Sequence, residues 1–300
     1  MTSRYRPLCM LGAALLGFAF SCSAAATNSP LVLGSYAYPG LDRVASIEPL
    51  AKIITKTTGQ PVEIKLFNDP DSLASEIRSG DVDVAVANLG AWLSVARDPA
   101  VQPLAIVVPP DRVRSRYRAV LLARHDLPAA NLAEVGAGAN AWRFAAVVPG
   151  SASGGLVQIS AVANASKAEP QWHSISFFGS HEGALAALAN DMADVAAVAE
   201  APWLDWQAAQ QGQTGSGRFP RVLWQSPPLP SGTLACRASP RLDCVALSEA
   251  LMRNNPETRR AALYLGRGWP EWAGARRFAA YDHALYAGFG QNGAVPPAAQ

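Results

Sequence analysis

The chain contains little charge and few of the side chains that most enzymes use for chemistry. Lysine and arginine number 25, aspartate and glutamate 23, and charged residues make up only 16% of the 300 positions. The formal net charge of +2 argues against a nucleic-acid-binding protein, which usually carries a basic stripe. The four histidines are scattered, and none belongs to a cluster with the spacing of a metal site. We therefore expect no metal, no cofactor and no nucleic-acid partner, and the lack of a catalytic set argues against an enzyme.

Long apolar runs are absent outside the amino terminus. There, Arg4 and Arg6 precede an apolar run from Leu8 to Phe20, and small residues follow up to Ala26. This order is typical of a secretory signal peptide over residues 1–26. The run is shorter than the ~20 residues that a membrane span needs, so an anchor is the weaker alternative. Lipid attachment at Cys22 is a third alternative, and the mature chain is expected to be soluble and periplasmic.

Cysteines are few as well. Two of the four, Cys9 and Cys22, lie in the predicted leader, which leaves Cys236 and Cys244 in the mature chain. An isolated pair in an exported protein favours a disulfide, and no histidine nearby supports a metal site instead. The sequence therefore predicts a structural bridge.

What the chain does contain is apolar residues, half of the total, in an alternating pattern. That share allows a sizeable core and excludes disorder over most of the chain. Strand-like and helix-like segments alternate from Leu31 to Ala87 and again from Arg118 to Val198, which predicts an α/β fold. We expect two lobes, each a mixed but mostly parallel sheet flanked by helices. The predicted limits are 27–112 for the first part of lobe 1, 113–222 for lobe 2, 223–291 for the return crossover and the rest of lobe 1, and 292–300 for a frayed tail.

A polar loop follows the apolar strand that begins at Phe144. It reads Ser151-Ala152-Ser153-Gly154-Gly155 and leads into a helix. The free N–H groups and positive dipole of a helix start, together with two hydroxyls, suit an anion. The alternative is a plain loop whose serine caps the helix. The loop is neither a hydrolase nucleophile elbow nor a Walker loop, because the required glycine and lysine are missing.

A second candidate is His181, which with Glu182 opens the next predicted helix. A histidine there could donate to an anion through a ring nitrogen, or it could be a simple cap or surface residue. The helix start disfavours the imidazolium form, whereas a bound anion favours it.

Several segments, taken in order, resemble the periplasmic substrate-binding proteins of phosphate, phosphite and phosphonate ABC transporters. The resemblance covers roughly residues 30 to 270, and the segments are Gly80-Asp81-Val82-Asp83-Val84-Ala85, Pro149-Gly150-Ser151-Ala152-Ser153-Gly154, Gly179-Ser180-His181-Glu182, Asn190-Asp191-Met192-Ala193-Asp194-Val195-Ala196 and Trp224-Gln225-Ser226-Pro227-Pro228-Leu229-Pro230.

This resemblance implies a type II binding-protein fold with two hinge crossovers and a ligand between the lobes. It implies that the ligand's oxyanion is held by Ser151, Ala152, Ser153 and Gly154, with His181 donating from the neighbouring helix and Glu200 near an acidic ligand-binding position. Ala152 replaces a threonine of the family pattern. Pro70, Ala87 and Gly232 replace two tyrosines and an acid that would meet an aminoalkylphosphonate.

The function expected from the resemblance is an extracytoplasmic solute receptor that passes a small tetrahedral oxyanion to an ABC permease. It would be a monomer without catalytic residues. The alternatives are a sensing subunit for a membrane kinase, a binding protein for another anion such as a sulfonate, and a secreted hydrolase that uses Ser151 or Ser153.

Overall fold

The computed structural model describes residues 29–210 and 219–289, in which strands and helices alternate as the sequence predicts. The predicted leader, the lipid-attachment alternative at Cys22 and the predicted tail lie outside the described residues. In chain order the strands are β1 Leu31–Tyr36, β2 Val62–Phe67, β3 Val84–Val86, β4 Val101–Val108, β5 Ala119–Ala123, β6 Arg143–Ala146, β7 Ser174–Phe177, β8 Val195–Ala199, β9 Arg221–Gln225, β10 Leu234–Arg237 and β11 Arg277–Ala279.

The helices are mostly short, and side-chain caps fix where many of them begin. Asp42 and Asp69, for example, accept hydrogen bonds from the first turns of α1 and α2, and left-handed glycines end both helices. The helices are α1 Arg43–Thr58, α2 Pro70–Ser79, α3 Leu89–Val95, α4 Asp111–Arg114, α5 Leu132–Ala137, α6 Val157–Ser166, α7 His181–Ala189, α8 Glu200–Gln210, α9 Cys244–Met252, α10 Pro256–Gly268 and α11 His283–Tyr286.

The strands form two separate mixed sheets, one in each lobe. The first has the order β11-β4-β10-β3-β1-β2, and the second has the order β7-β6-β8-β5-β9. The predicted two-lobed α/β fold of mixed sheets is thus confirmed, but "mostly parallel" is too strong. Strand β1 pairs parallel with β2 and β3, and β6 pairs parallel with β7 and β8, whereas β10 and β5 each pair antiparallel on both sides. Strands β5 and β10 are the ones that the chain enters after crossing between lobes, and β11 adds a further antiparallel pairing with β4.

Two crossovers connect the lobes. The first runs over residues 109–118 between β4 and β5, and the second over residues 226–233 between β9 and β10. The sequence-based limit at 112/113 therefore falls within α4, and the limit at 222/223 falls within β9. Since β9 pairs with β5, the second lobe extends to Gln225.

Apolar side chains pack on both faces of each sheet. In the first lobe, α1, α9 and α10 cover one face around Ile47, Leu50 and Trp269, all fully buried. In the second lobe, α7 covers one face and α5 with α6 the other. This burial fixes the sheets and leaves their carboxyl-end loops to form a cleft. Within the two described ranges, no helix has the length and apolar character needed to cross a membrane.

Candidate functional site

The two lobes enclose a cavity of about 690 Å³. Two hydrogen bonds join the lobes across it: Asn88 Nδ2 donates to the Gly150 carbonyl at 3.1 Å, and the His181 backbone N–H donates to the Tyr38 hydroxyl at 3.2 Å. The lobes also approach closely at Gly150. A Cβ there would lie 2.4 Å from Asp71 Oδ1, and the φ of +73° is one that residues with side chains rarely adopt. The two lobes are therefore in contact across the cleft.

The loop between β6 and α6 forms one end of the cavity. Ser151, Ala152 and Ser153 line it, and all three are buried. The first hydrogen bond of this helical segment runs from the Leu156 N–H to the Ser151 carbonyl at 3.1 Å, so the N–H groups of Ala152, Ser153 and Gly154 come before the helical ladder. Ser151 makes no side-chain capping bond, which contradicts the plain N-cap alternative. The result is a cradle of hydroxyl and N–H donors.

Hydrogen bonds from the Gln158 side chain hold the cradle in place. Gln158 is fully buried, and its side-chain nitrogen donates to the Ser153 carbonyl at 2.7 Å and lies within 3.2 Å of carbonyls on β5 and β8. Its side-chain oxygen accepts from the Gly155 N–H. Gly154 does not line the cavity. A Cβ there would lie 2.3 Å from Val147, so its role is to let the loop pack closely.

His181 lies on the cavity wall at the start of α7, next to its N-cap Ser180. Its Nδ1 accepts the backbone N–H of Ala199 at 3.1 Å. Enclosure by protein lowers the pKa of His181 to about 4, an effect that the charge of Glu182 opposes only weakly. The ring is therefore neutral near pH 7, and its proton is on Nε2.

Aromatic residues form much of the remaining wall. Tyr36, Tyr38 and Tyr117 line the cavity. Burial raises the pKa of all three phenols, that of Tyr38 to about 12, so each keeps its proton as a hydrogen-bond donor. Sequence reasoning missed them. Tyr36 ends β1 and Tyr38 follows it, at the carboxyl end of the strand where ligands gather in open α/β sheets, and this position was the available signal.

Arg43 is a cation in the cavity wall whose guanidinium already contacts aromatic rings and backbone carbonyls of the protein. Its guanidinium lies 4.0 Å from the centre of the Tyr36 ring and 4.4 Å from that of Trp269. It also donates to the carbonyls of Gly268 and Tyr36. These contacts fix Arg43 as part of the wall.

The structure places Glu200 away from the cavity. Its carboxylate accepts a hydrogen bond from Gln225, and its backbone N–H donates to the Arg118 carbonyl at 3.0 Å. Its neighbours Ala199 and Ala201 line the cavity, but Glu200 does not. In this structure the side chain is directed at β9, the edge strand of the second lobe, so a contact between Glu200 and ligand stays a prediction that this geometry does not favour.

The carboxylates that do line the cavity are Glu182 and Glu271. Burial raises the pKa of Glu271 above its usual range, an effect that its backbone hydrogen bond and the charge of Arg43 oppose. At Gly232, where the family pattern has an acid, a Cβ would lie 1.9 Å from the Ala87 carbonyl, so no side chain fits there. Among the described residues, no group of three or more His, Cys, Asp or Glu could hold a metal ion.

Two lobes closed over a donor-lined cavity define a hinged ligand-binding protein. The family model described as "ABC transporter, phosphonate, periplasmic substrate-binding protein" matches residues 41–282. The chain belongs to this family, which confirms the assignment made from its motifs and the solute-binding function that follows from it. The family is one of periplasmic transport proteins and not of enzymes, and its members serve a membrane permease. No curated protein matches the chain significantly.

Solved structures share the fold. The Xanthomonas citri protein XAC2383, solved with ATP, is 17% identical with a TM-score of 0.65, covering 86% of this chain and 94% of that one. A binding-protein component of an ABC phosphonate transporter from Pseudomonas aeruginosa is 23% identical with a TM-score of 0.59, covering 85% and 83%. PhnD1 of Prochlorococcus marinus, in complex with methylphosphonate, is 14% identical with a TM-score of 0.58, covering 85% and 94%. These likenesses confirm the type II binding-protein fold.

Proposed function

We propose that this protein captures a ligand with a tetrahedral oxyanion of the phosphonate, phosphite or phosphate type in the periplasm and delivers it to an ABC permease in the inner membrane. The leader predicted over residues 1–26 supports export. The protein would act as a monomer and would not transform its ligand.

The observation that carries the proposal is the convergence of donors at one end of the cavity. Ser151 and Ser153 offer hydroxyls, the first N–H groups of the helical segment offer main-chain donors, and His181 offers Nε2–H. The positive end of the helix dipole adds a favourable field for negative charge. Several convergent donors suit the three oxygens of a phosphonate.

Closure of the lobes would follow from ligand contacts on both sides. The cradle and His181 belong to the second lobe, whereas Tyr36 and Tyr38 belong to the first. A ligand that bridges them stabilises the closed state relative to the open one and shifts a pre-existing equilibrium. The Asn88–Gly150 and Tyr38–His181 bonds would then form with it.

A thermal-shift screen of the mature protein tests this function. The panel is phosphate, phosphite, hypophosphite, methylphosphonate, sulfate and methanesulfonate, with an amino acid and a sugar as controls. A ligand at about 100 times its Kd should stabilise the fold by about 2.7 kcal/mol, which is several degrees at this size. A shift with a sulfur oxyanion alone would reassign the anion. A shift with the amino acid or sugar and with no oxyanion would refute the proposal.

A further inference from the structure

The first crossover carries arginines at four alternating positions: 112, 114, 116 and 118. Two have structural partners. Arg114 pairs with Asp111 at 2.8 Å, and Arg118 donates to the carbonyls of Ser115 and Ser226. The other two, Arg112 and Arg116, line the cavity. Within residues 29–210 and 219–289, neither of their side chains makes a hydrogen bond or an ion pair.

Both arginines are exposed and border the cavity from one side of the first crossover. The helical turn of α4 continues past its end, since the Arg116 N–H donates to the Val113 carbonyl. Residues 112 and 116 are one turn apart and share a face, and Val113 and Tyr117 on that side also line the cavity. Like charges at this spacing repel each other and destabilise the turn. An anion between them would remove that repulsion.

The cavity is also larger than one oxyanion requires. Its 690 Å³ is more than twenty times the roughly 30 Å³ that a water molecule occupies in the liquid. Cavities of about 300–1,000 Å³ commonly hold ligands of drug size. This space lies between lobes that are already joined by hydrogen bonds. A lone phosphonate group would fill the cradle and leave most of the cavity to an organic body.

We propose that Arg112 and Arg116 form a second anion subsite, and that the natural ligand is an organic molecule with a second oxyanion group, a carboxylate or a phosphate, in addition to the one in the cradle. This inference rests on the proposed function, because the cradle orients the first group. Guanidinium groups match both carboxylate and phosphate through paired N–H donors. The tyrosine side chains of the wall offer an apolar surface to the body of such a ligand.

Calorimetric titration with matched ligands tests the second subsite. Alkylphosphonates of three increasing chain lengths are compared with counterparts that end in a carboxylate and counterparts that end in a second phosphonate. At the chain length that spans the cavity, the second charge should tighten binding by at least about tenfold. Comparing the ligands that end in a carboxylate with those that end in a second phosphonate shows which group Arg112 and Arg116 bind more tightly.

Two variant proteins connect that gain in affinity to Arg112 and Arg116. Arg112→Gln combined with Arg116→Gln should abolish the advantage of the second group while leaving the affinity for plain alkylphosphonates within about twofold. Arg114→Gln removes the same charge from the same turn but outside the cavity, and it should preserve the advantage.

The outcomes separate this inference from the proposed function. If alkylphosphonates bind but a second charged group adds nothing at any length, or if its advantage survives in the double variant, the second subsite is refuted and the proposed function stands. If no phosphorus compound binds, both are refuted.

Discussion

The Ala199 backbone N–H donates to Nδ1 of His181 at 3.1 Å, which joins the end of β8 to the start of α7 and sets the tautomer of the imidazole. With Nδ1 occupied as an acceptor, the neutral ring offers its proton on Nε2. The sequence left both protonation states of this histidine open. The structure favours the neutral one, because the pKa is lowered to about 4 by removal from bulk water.

This lowered pKa predicts a pH dependence of stability. The folded-state pKa of His181 lies below the value of about 6.5 in the unfolded chain, so the unfolded state takes up the proton first. Stability should fall as the pH drops from 6.5 towards 4, and His181→Gln should lack this part of the loss. Urea unfolding of both proteins across that range measures it. An imidazole signal of His181 that titrates near pH 6.5 in NMR would contradict the assignment.

The cradle serines should affect binding more than folding. Ser151→Ala and Ser153→Ala should each weaken oxyanion binding by about 1.5–3 kcal/mol, the range for hydrogen bonds to charged groups. Stability should change little, since Ser151 makes no capping bond. Calorimetry with the best oxyanion of the screen, together with urea unfolding, measures both quantities.

The matched control for the serines is Asn131→Ala. Asn131 caps α5 by accepting the Glu134 N–H at 3.0 Å, so its loss should cost about 1 kcal/mol of stability and leave affinity unchanged. If the serine variants behave like this control, with lost stability and unchanged affinity, the cradle is a structural loop.

The part of the site that could be predicted comes from local order along the chain. The cradle follows β6 and His181 follows β7, and these strands are parallel neighbours. The carboxyl ends of parallel strands meet at one edge of a sheet, so two polar loops after consecutive strands converge. The family resemblance brought Ser151, Ser153 and His181 together in the sequence analysis, and the parallel pairing of β6 with β7 explains why all three line one cavity.

The cavity-lining residues that sequence reasoning missed are those whose place in the site depends on how the two lobes come together. Tyr38 and Arg112 line the cavity only because the crossovers bring the first lobe and the hinge against the second.

Glu200 illustrates a different limit of sequence-based prediction. One residue along a helix rotates a side chain by about 100°, so a position next to Ala199 and Ala201 can face away from the ligand. An uncertainty of one residue is enough to misplace it.

The predicted bridge is present between Cys236 of β10 and Cys244 at the start of α9, and both cysteines are buried. Replacing both with alanine should lower stability by about 2–3 kcal/mol, the expectation for a short closed loop. Reduction of the wild type should reproduce most of this loss in urea unfolding. Affinity should not change, since neither cysteine lines the cavity. Equal unfolding midpoints with and without reductant would show that the bridge contributes nothing.

Gly90 offers a test of closure itself. It lies in α3 of the first lobe, and a Cβ there would be 2.2 Å from the Gly150 carbonyl oxygen of the second lobe. Gly90→Ala should therefore separate the lobes and weaken ligand binding, while each lobe keeps its own core. Small-angle scattering should show wild type compacting with ligand and the variant remaining extended. Ser94→Ala, farther along the same helix and outside the cavity wall, is the control and should close normally. If Gly90→Ala binds ligand and compacts like wild type, the contact between Gly90 and Gly150 does not govern closure.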